Sequence, residues 1–487
     1  AGIGREGLVV LPVVAPPGFH VMGFVTLGEC FRHILAFSMK GGNTARMQTA
    51  RDIAILWDAS HIWGFMAWRA VRGLGLSCRL LKAQNIAKGG LFGKPGDTGG
   101  GERRFSLLLV PGGNARLKAA GLGRRGMEAI RRHVAEGGAY LGFCGGAGLA
   151  LRHGDGLGLC PWARARYPER LQHLVSGHLR CHVPSPGEDE AAARLMPPSW
   201  RAGDVRPSLP VWWPGRFAPG AEDSVRVLAT YGPPDADFWL ADLPLRRVPA
   251  HVFEAWRDLY GVDLSARFVH GQPVALTGTS GAGRYVLSYS HLETPHSPDA
   301  NFWFAHLLHE LSGLQPESVM VPAWDMAGQE PAAWPADARE ALCSTLRGLR
   351  ALLRLAVEHN LFFERAPWLW GWKSGLPGAA CNNLHAALYE TASSCPGPDA
   401  LRCWRDIGAR FRSLAPLFLE GAEGYLLACR LAETLLPTLP DAVDRRGLAN
   451  QREALFGHPM NGGGLMGQLV EMVEELFFLC HAPTEAG

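Results

Sequence analysis

Gly137-Gly138-Ala139-Tyr140-Leu141-Gly142-Phe143-Cys144-Gly145-Gly146-Ala147 is the stretch on which the fold turns. Tyr140 to Phe143 reads as a buried strand. Gly137-Gly138 stops the helical run Arg125 to Glu136 ahead of it, and Gly145 to Leu151 can begin a helix directly behind it. A cysteine at such a strand-to-helix junction, with glycine two residues away on each side, has the form of a nucleophile elbow. The turn is so tight that larger side chains would clash, and it presents Cys144 at the N-terminus of the following helix. There the helix dipole and free backbone N–H groups favour the thiolate, the reactive form of cysteine.

Upstream, Ile53 to Trp57 is a short apolar run, Ile62 to Val71 has helical apolar spacing and Leu74 to Leu81 is strand-like again, the alternation of a βαβ unit. A glycine-rich loop, Lys88 to Gly101, separates this unit from a buried strand, Phe105 to Val110, which ends on Pro111-Gly112-Gly113. Strands and helices alternating at this spacing predict an α/β fold with a mostly parallel sheet covered on both faces. Downstream, His173 to Val183, Val211 to Phe217 and Val225 to Tyr231 are strand-like, Gly232 to Gly271 reads as an insertion, and Pro273 to Thr277 with Arg284 to Ser290 forms a hairpin across Gly281 and Gly283. Asn301 to Leu311 is predicted to close the domain as a helix.

From Pro335 onward the pattern is helical, in Ala338 to Glu358, Leu401 to Phe411, Leu417 to Leu436 and Gly464 to Cys480. The expected organisation is an extension of unclear role at 1–51, an α/β domain at 52–312, a linker at 313–334 and an α-helical C-terminal domain at 335–487. Two stretches of the helical region read as packing. One is the cluster Trp368-Leu369-Trp370-Gly371-Trp372; the other is Leu465 to Phe478, with Glu471, Glu474 and Glu475 on its polar side.

Composition excludes some functions. With 47% apolar and 19% charged residues and a net charge of +3 over 487 residues, the chain reads as globular and offers no electrostatic case for nucleic acid or a membrane surface. Eleven cysteines, spread from Cys30 to Cys480 without a CxxC pair, suit neither a disulfide framework nor a zinc site, so a reducing cytoplasm is expected. Pro12, Pro16 and Pro17 break one apolar N-terminal run, and Glu29, Arg32 and His33 break the other, so no spanning helix is expected there. No cofactor and no metal are expected. The substrate is a small molecule or peptide of unspecified kind, and the helical region is the expected place for a protein partner.

Two further signals carry chemistry. In Ser288-Tyr289-Ser290-His291-Leu292-Glu293, a strand running out at His291 puts an imidazole over the sheet's C-terminal edge, with Glu293 beside it to fix the ring and stabilise its protonated form. Pro111-Gly112-Gly113 ends the strand expected to neighbour the elbow strand. Backbone N–H groups of Gly113 and Gly145 would form an oxyanion hole.

Together these motifs resemble the class I glutamine amidotransferase superfamily and, within it, the biotin-protein ligase N-terminal domain. The resemblance runs from Asp52 to Leu311 and rests on Leu109 to Gly113, Gly137 to Ala147, and Gly283-Arg284-Tyr285-Val286-Leu287-Ser288 leading into Ser290 to Glu293. It implies a flavodoxin-like fold, Cys144 as nucleophile, His291 as general base, Glu293 as its orienter, and a hydrolase or amidotransferase acting on an amide-type C–N bond. Glutaminase domains usually carry glutamine four residues after the nucleophile, where this chain has Gly148, so the resemblance does not extend to glutamine as substrate. The adenylate-binding and lysine-bearing motifs of a biotin ligase are not found, and biotinylation is not expected. Two alternatives stay open: a non-catalytic small-molecule-binding or regulatory module that keeps the scaffold, and redox sensing by Cys144.

Overall fold

The computed structural model describes residues 53–482 except 94–103, 166–173, 186–188, 202, 204, 262, 329–332 and 459–461. The expected extension at 1–51, Asp52 and most of the glycine-rich loop lie outside the described residues. Four short strands begin the main sheet: β1 (Ile53–Leu56), β2 (Cys78–Leu81), β3 (Leu107–Val110) and β4 (Ala139–Phe143), each parallel to its neighbour. Every residue of β1, β3 and β4 is buried, the reason these segments read as continuous apolar runs rather than alternating ones.

Three more strands complete the sheet: β5 (Arg226–Thr230), β6 (Pro273–Ser280) and β7 (Gly283–Ser288). The expected hairpin is β6 and β7, turning at Gly281, whose φ of 61° favours a residue without a Cβ. β7 then lies parallel beside β4, and the sheet order is β2-β1-β3-β4-β7-β6-β5. The C-terminal ends of β1, β3, β4 and β7 therefore share one edge, which brings four loops distant in sequence together. The helix expected from Arg125 is present and is preceded by a further helical segment from Ala115, the two meeting at a kink at Gly123, whose φ of 54° and ψ of −172° are not helical. Asn114 caps the first segment, accepting from the N–H groups of Arg116 and Leu117 at 3.0 and 3.2 Å, and the break at Gly123 hides that segment's helical pattern in the sequence.

A second, four-stranded antiparallel sheet is built from Val175–Arg180, Ser208–Trp212, Trp239–Leu240 and Leu243–Pro244. The Gly232 to Gly271 stretch contributes two of these strands as well as the helix Ala250–Tyr260. The expected strand Val211 to Phe217 stops at Trp212, because Trp213 adopts φ 56° and turns the chain.

After Pro335 the helices are Ala336–Glu358, Gly378–Ser393, Pro398–Leu435, Arg445–Phe456 and Gly464–His481. Two expectations are corrected here. The region is not purely helical, since Phe362–Ala366 and Leu369–Trp372 pair as an antiparallel hairpin, as aromatic-rich segments with strand propensity do when a surface receives them. Further, Leu401 to Phe411 and Leu417 to Leu436 belong to one helix that runs through Pro416. A proline inside a helix costs about 3 kcal/mol. Burial of Phe411, Ala415, Phe418 and Ala422 along this helix offsets it. The last helix returns to the first: Phe477 stacks on Trp57 at 5.2 Å and meets Phe65 and Trp68 at 4.7 and 5.0 Å. Among the described residues no helix is long and apolar enough to cross a membrane.

Candidate active site

β4 ends at Phe143, and Cys144 follows with φ 47° and ψ −103°, at the cap of the helix Gly145–Ala150. Its N–H donates to the Ser288 carbonyl at 2.8 Å, which ties the elbow to the end of β7. The glycines around it are demanded by backbone contact. A Cβ on Gly145 would lie 2.0 Å from the Gly113 carbonyl oxygen, and one on Gly146 would lie 2.0 Å from that of Val110. The elbow thus rests directly on β3 and its turn. Tyr140 fastens it from below, its hydroxyl donating to the Gly146 carbonyl at 2.7 Å. Gly113 takes φ 103°, and a Cβ there would lie 2.2 Å from the Ala59 carbonyl oxygen. The Gly113 and Gly145 N–H groups have no acceptor among the described residues, and both belong to the backbone that surrounds Cys144.

His291 and Glu293 lie past the end of β7, both fully buried. Their turn is held by the second sheet: the His291 N–H donates to the Pro210 carbonyl at 3.0 Å, and Ser290 Oγ donates to the same oxygen at 2.7 Å. Asn301, on the helix Pro298–Ser312, donates to the Leu292 and Thr294 carbonyls at 3.0 and 2.8 Å. So braced, His291 Nδ1 meets Glu293 Oε1 at 2.7 Å. Trp63 covers the imidazole at 4.2 Å, and a Cβ on Gly112 would come within 2.8 Å of His291 Cε1. The imidazole is therefore clamped between an indole and the proline-glycine-glycine turn.

Cys144 and His291 lie near enough for each to shift the other's ionisation. Nδ1 is committed to Glu293, and Nε2 is buried without a hydrogen-bond partner among the described residues. Burial alone would push the Cys144 thiol up; the neighbouring His291 imidazole and its charge, with Arg164, outweigh it and hold the thiol below its ordinary value. For His291, burial pulls down, but the Glu293 carboxylate and the Cys144 sulfur together carry it up to about 10. Both shifts favour a thiolate–imidazolium pair.

The site contains residues that no motif announced. The turn after β1 holds Ala59 and His61 at φ 52° and 50°, and between them Ser60 is wholly buried. Lys118, also wholly buried, donates to Ser60 Oγ and to the Asp58 carbonyl, the latter at 3.0 Å. Burial draws its ammonium down to about 7, against the opposing charges of Asp58, Glu474 and Cys144. Glu474, from the last helix, accepts from His61 Nδ1 at 3.0 Å. A lysine in an alanine-rich helix and a glutamate on an amphipathic one carry no local signal, since only the tertiary fold carries them to the β1 edge. Among the described residues no group of three or more His, Cys, Asp or Glu side chains is placed to hold a metal ion.

The family model described as Biotin-protein ligase, N terminal, matches residues 101–153. No curated protein matches the chain. PurLQS from Thermotoga maritima is 13% identical, with 54% of this chain and 100% of that one covered at a TM-score of 0.34. A GMP synthase subunit from Thermoplasma acidophilum is 12% identical, with 54% and 95% covered and a TM-score of 0.32. A beta-galactosidase from Bacillus circulans sp. alkalophilus is 13% identical, with 55% and 32% covered and a TM-score of 0.29. Over 101–153, the stretch that carries the proline-glycine-glycine turn and the elbow, the chain is similar to the biotin-protein ligase N-terminal domain.

Proposed function

We propose that the chain is a cysteine-dependent hydrolase or amidotransferase-like enzyme that acts on an amide-type C–N bond. The observation that supports this reading is the shared edge: Cys144 follows the end of β4, the buried His291–Glu293 pair follows the end of the adjacent parallel strand β7, and the Cys144 N–H donates to the Ser288 carbonyl at 2.8 Å. The parallel strands in the order β2-β1-β3-β4-β7 support a flavodoxin-like scaffold, whose ligands bind outside the carboxyl ends of the strands. On this reading the α/β part, 52–312, carries the chemistry and the helical region from 335 braces it.

In the proposed reaction the Cys144 thiolate adds to the substrate's carbonyl carbon, and the oxygen takes the negative charge, received by the Gly113 and Gly145 N–H groups. His291 gives its proton to the departing amine nitrogen as the C–N bond breaks, leaving an acyl thioester on Cys144. Water, deprotonated by His291, or an acceptor amine then attacks the thioester, and the sulfur leaves as thiolate. Glu293 holds the ring oriented throughout and stabilises its charged form. Gly148 stands where a glutaminase would carry glutamine, so the acyl group is proposed to be other than the γ-glutamyl group that glutamine would leave.

The test has two arms. Iodoacetamide should label Cys144 faster than the other cysteines at neutral pH, and a screen of amides, peptides and glutamine should show turnover that Cys144→Ala abolishes. Labelling of Cys144 no faster than of exposed Cys395 would overturn the proposal, as would turnover that survives in Cys144→Ala.

A further inference from the structure

A cavity of about 380 Å³ opens beside the hairpin Phe362–Ala366/Leu369–Trp372, between it and the second sheet. Trp213, Phe363 and Trp372 wall it, with Ser176, Ser374 and Arg365 as its polar members. The volume lies at the small end of ligand pockets, about 300–1,000 Å³, which suits one ring or a fused pair and excludes a folded peptide. Arg365 is the informative residue. Its side chain is only 6% exposed, with the guanidinium between the indoles of Trp212 and Trp239 at 5.2 and 5.4 Å.

A guanidinium offers five N–H donors. Here Nη2 donates to the Ser176 and Asp237 carbonyls at 3.2 and 2.8 Å, and Nε reaches Ser176 Oγ at 3.5 Å. Nη1 has no acceptor among the described residues. Asp237 stands 3.9 Å from Nη2, but its carboxylate is engaged by His178, whose Nδ1 lies 2.8 Å away. A guanidinium serving only to join the hairpin to the second sheet would need the contacts of Nε and Nη2 and no others. A buried cation with an unpaired fork arm in an aromatic-walled cavity has a further use.

We infer that this cavity binds an aromatic carboxylate, its ring against the Trp213 and Trp372 indoles that together wall one side and its anionic end on Arg365 Nη1. Arginine suits this task because its planar fork meets a carboxylate along defined N–H directions and its low hydration tolerates the apolar walls. The site also has an address. Trp213 meets Trp372 at 5.2 Å and Trp63 at 6.0 Å, and Trp63 lies on the His291 ring, so two indoles in contact, Trp213 and Trp63, link the cavity to that imidazole. The inference goes beyond the proposed hydrolysis and does not depend on it.

Isothermal titration of the full chain with indole-3-acetate and with uncharged indole-3-acetamide tests it, using wild type, Cys144→Ala, Arg365→Gln and Ala379→Trp. The carboxylate should bind at least about tenfold more tightly than the amide, the worth of one charge-assisted hydrogen bond. Arg365→Gln should erase that preference. Ala379 is exposed and lines the cavity, so Ala379→Trp should block both ligands without touching the guanidinium, and it decides the matter where Arg365→Gln does not fold. Equal affinity for acid and amide, no binding by wild type, or unchanged binding by Ala379→Trp would overturn the inference. Cys144→Ala should bind as wild type does, so an inert Cys144 would end the hydrolase proposal while leaving this site standing.

Discussion

Glu293→Gln offers the sharpest view of the site, because it keeps the shape of the side chain and removes its charge. The carboxylate acts on Cys144 in two opposed ways. Directly, it repels the thiolate; indirectly, it holds the imidazolium that attracts the thiolate, and His291's influence on the sulfur exceeds the direct repulsion. Loss of the imidazolium should therefore win, and the Cys144 thiol should rise in the variant. A buried hydrogen bond to a charged group contributes about 1.5–3 kcal/mol, which corresponds to roughly a 10- to 150-fold slower labelling of Cys144 at neutral pH. The sign follows from both partners. The raised His291 contributes stability fully present below its unfolded value of 6.5 and lost as pH rises through about 10. The depressed Cys144 contributes stability present above its unfolded value of 9.0 and lost as pH falls through its lower folded value. Wild-type labelling should thus begin to rise below pH 9, and Glu293→Gln should move that inflection upward. The assay is iodoacetamide labelling of Cys144, followed by mass spectrometry across pH. An inflection and rate unchanged from wild type would refute the coupling.

Three other outcomes are expected. Gly146→Ala, which sets a Cβ 2.0 Å from the Val110 carbonyl, should lower stability to urea by at least about 2 kcal/mol. Gly148→Ala, whose Cβ would meet only Ala115 Cβ at 3.7 Å, should be neutral or mildly stabilising in the same experiment. Lys118, lowered from 10.5 to about 7, binds its proton more weakly folded than unfolded, so it makes stability rise with pH across that window; Lys118→Met should remove the rise and leave a steeper fall of Tm above pH 7. Phe477→Ala should cost about 3–5 kcal/mol in urea unfolding, because the ring packs on Trp57, Phe65 and Trp68.

Sequence alone determined the elements whose physics is local. Continuous apolar runs identified β1, β3 and β4, since a strand buried on both faces has no polar side to show. Glycine spacing identified the elbow, since only hydrogen fits where Gly145 and Gly146 meet the carbonyls of Gly113 and Val110. The hairpin of β6 and β7 was legible from its turn, and the His-x-Glu pair from its place at a strand's end. Other features were invisible because their cause is not local. The hairpin at 362–372 and the helix continuous through Pro416 exist because neighbouring elements bury them, which overrides propensity. Lys118, Glu474 and Arg365 carry ordinary charges in ordinary surroundings along the chain. Only the tertiary fold buries Lys118 and Arg365 and sets Glu474 against His61, and burial gives those charges their meaning: one beside Ser60 at the β1 edge, one on His61, and one in an aromatic cavity with part of its fork unpaired.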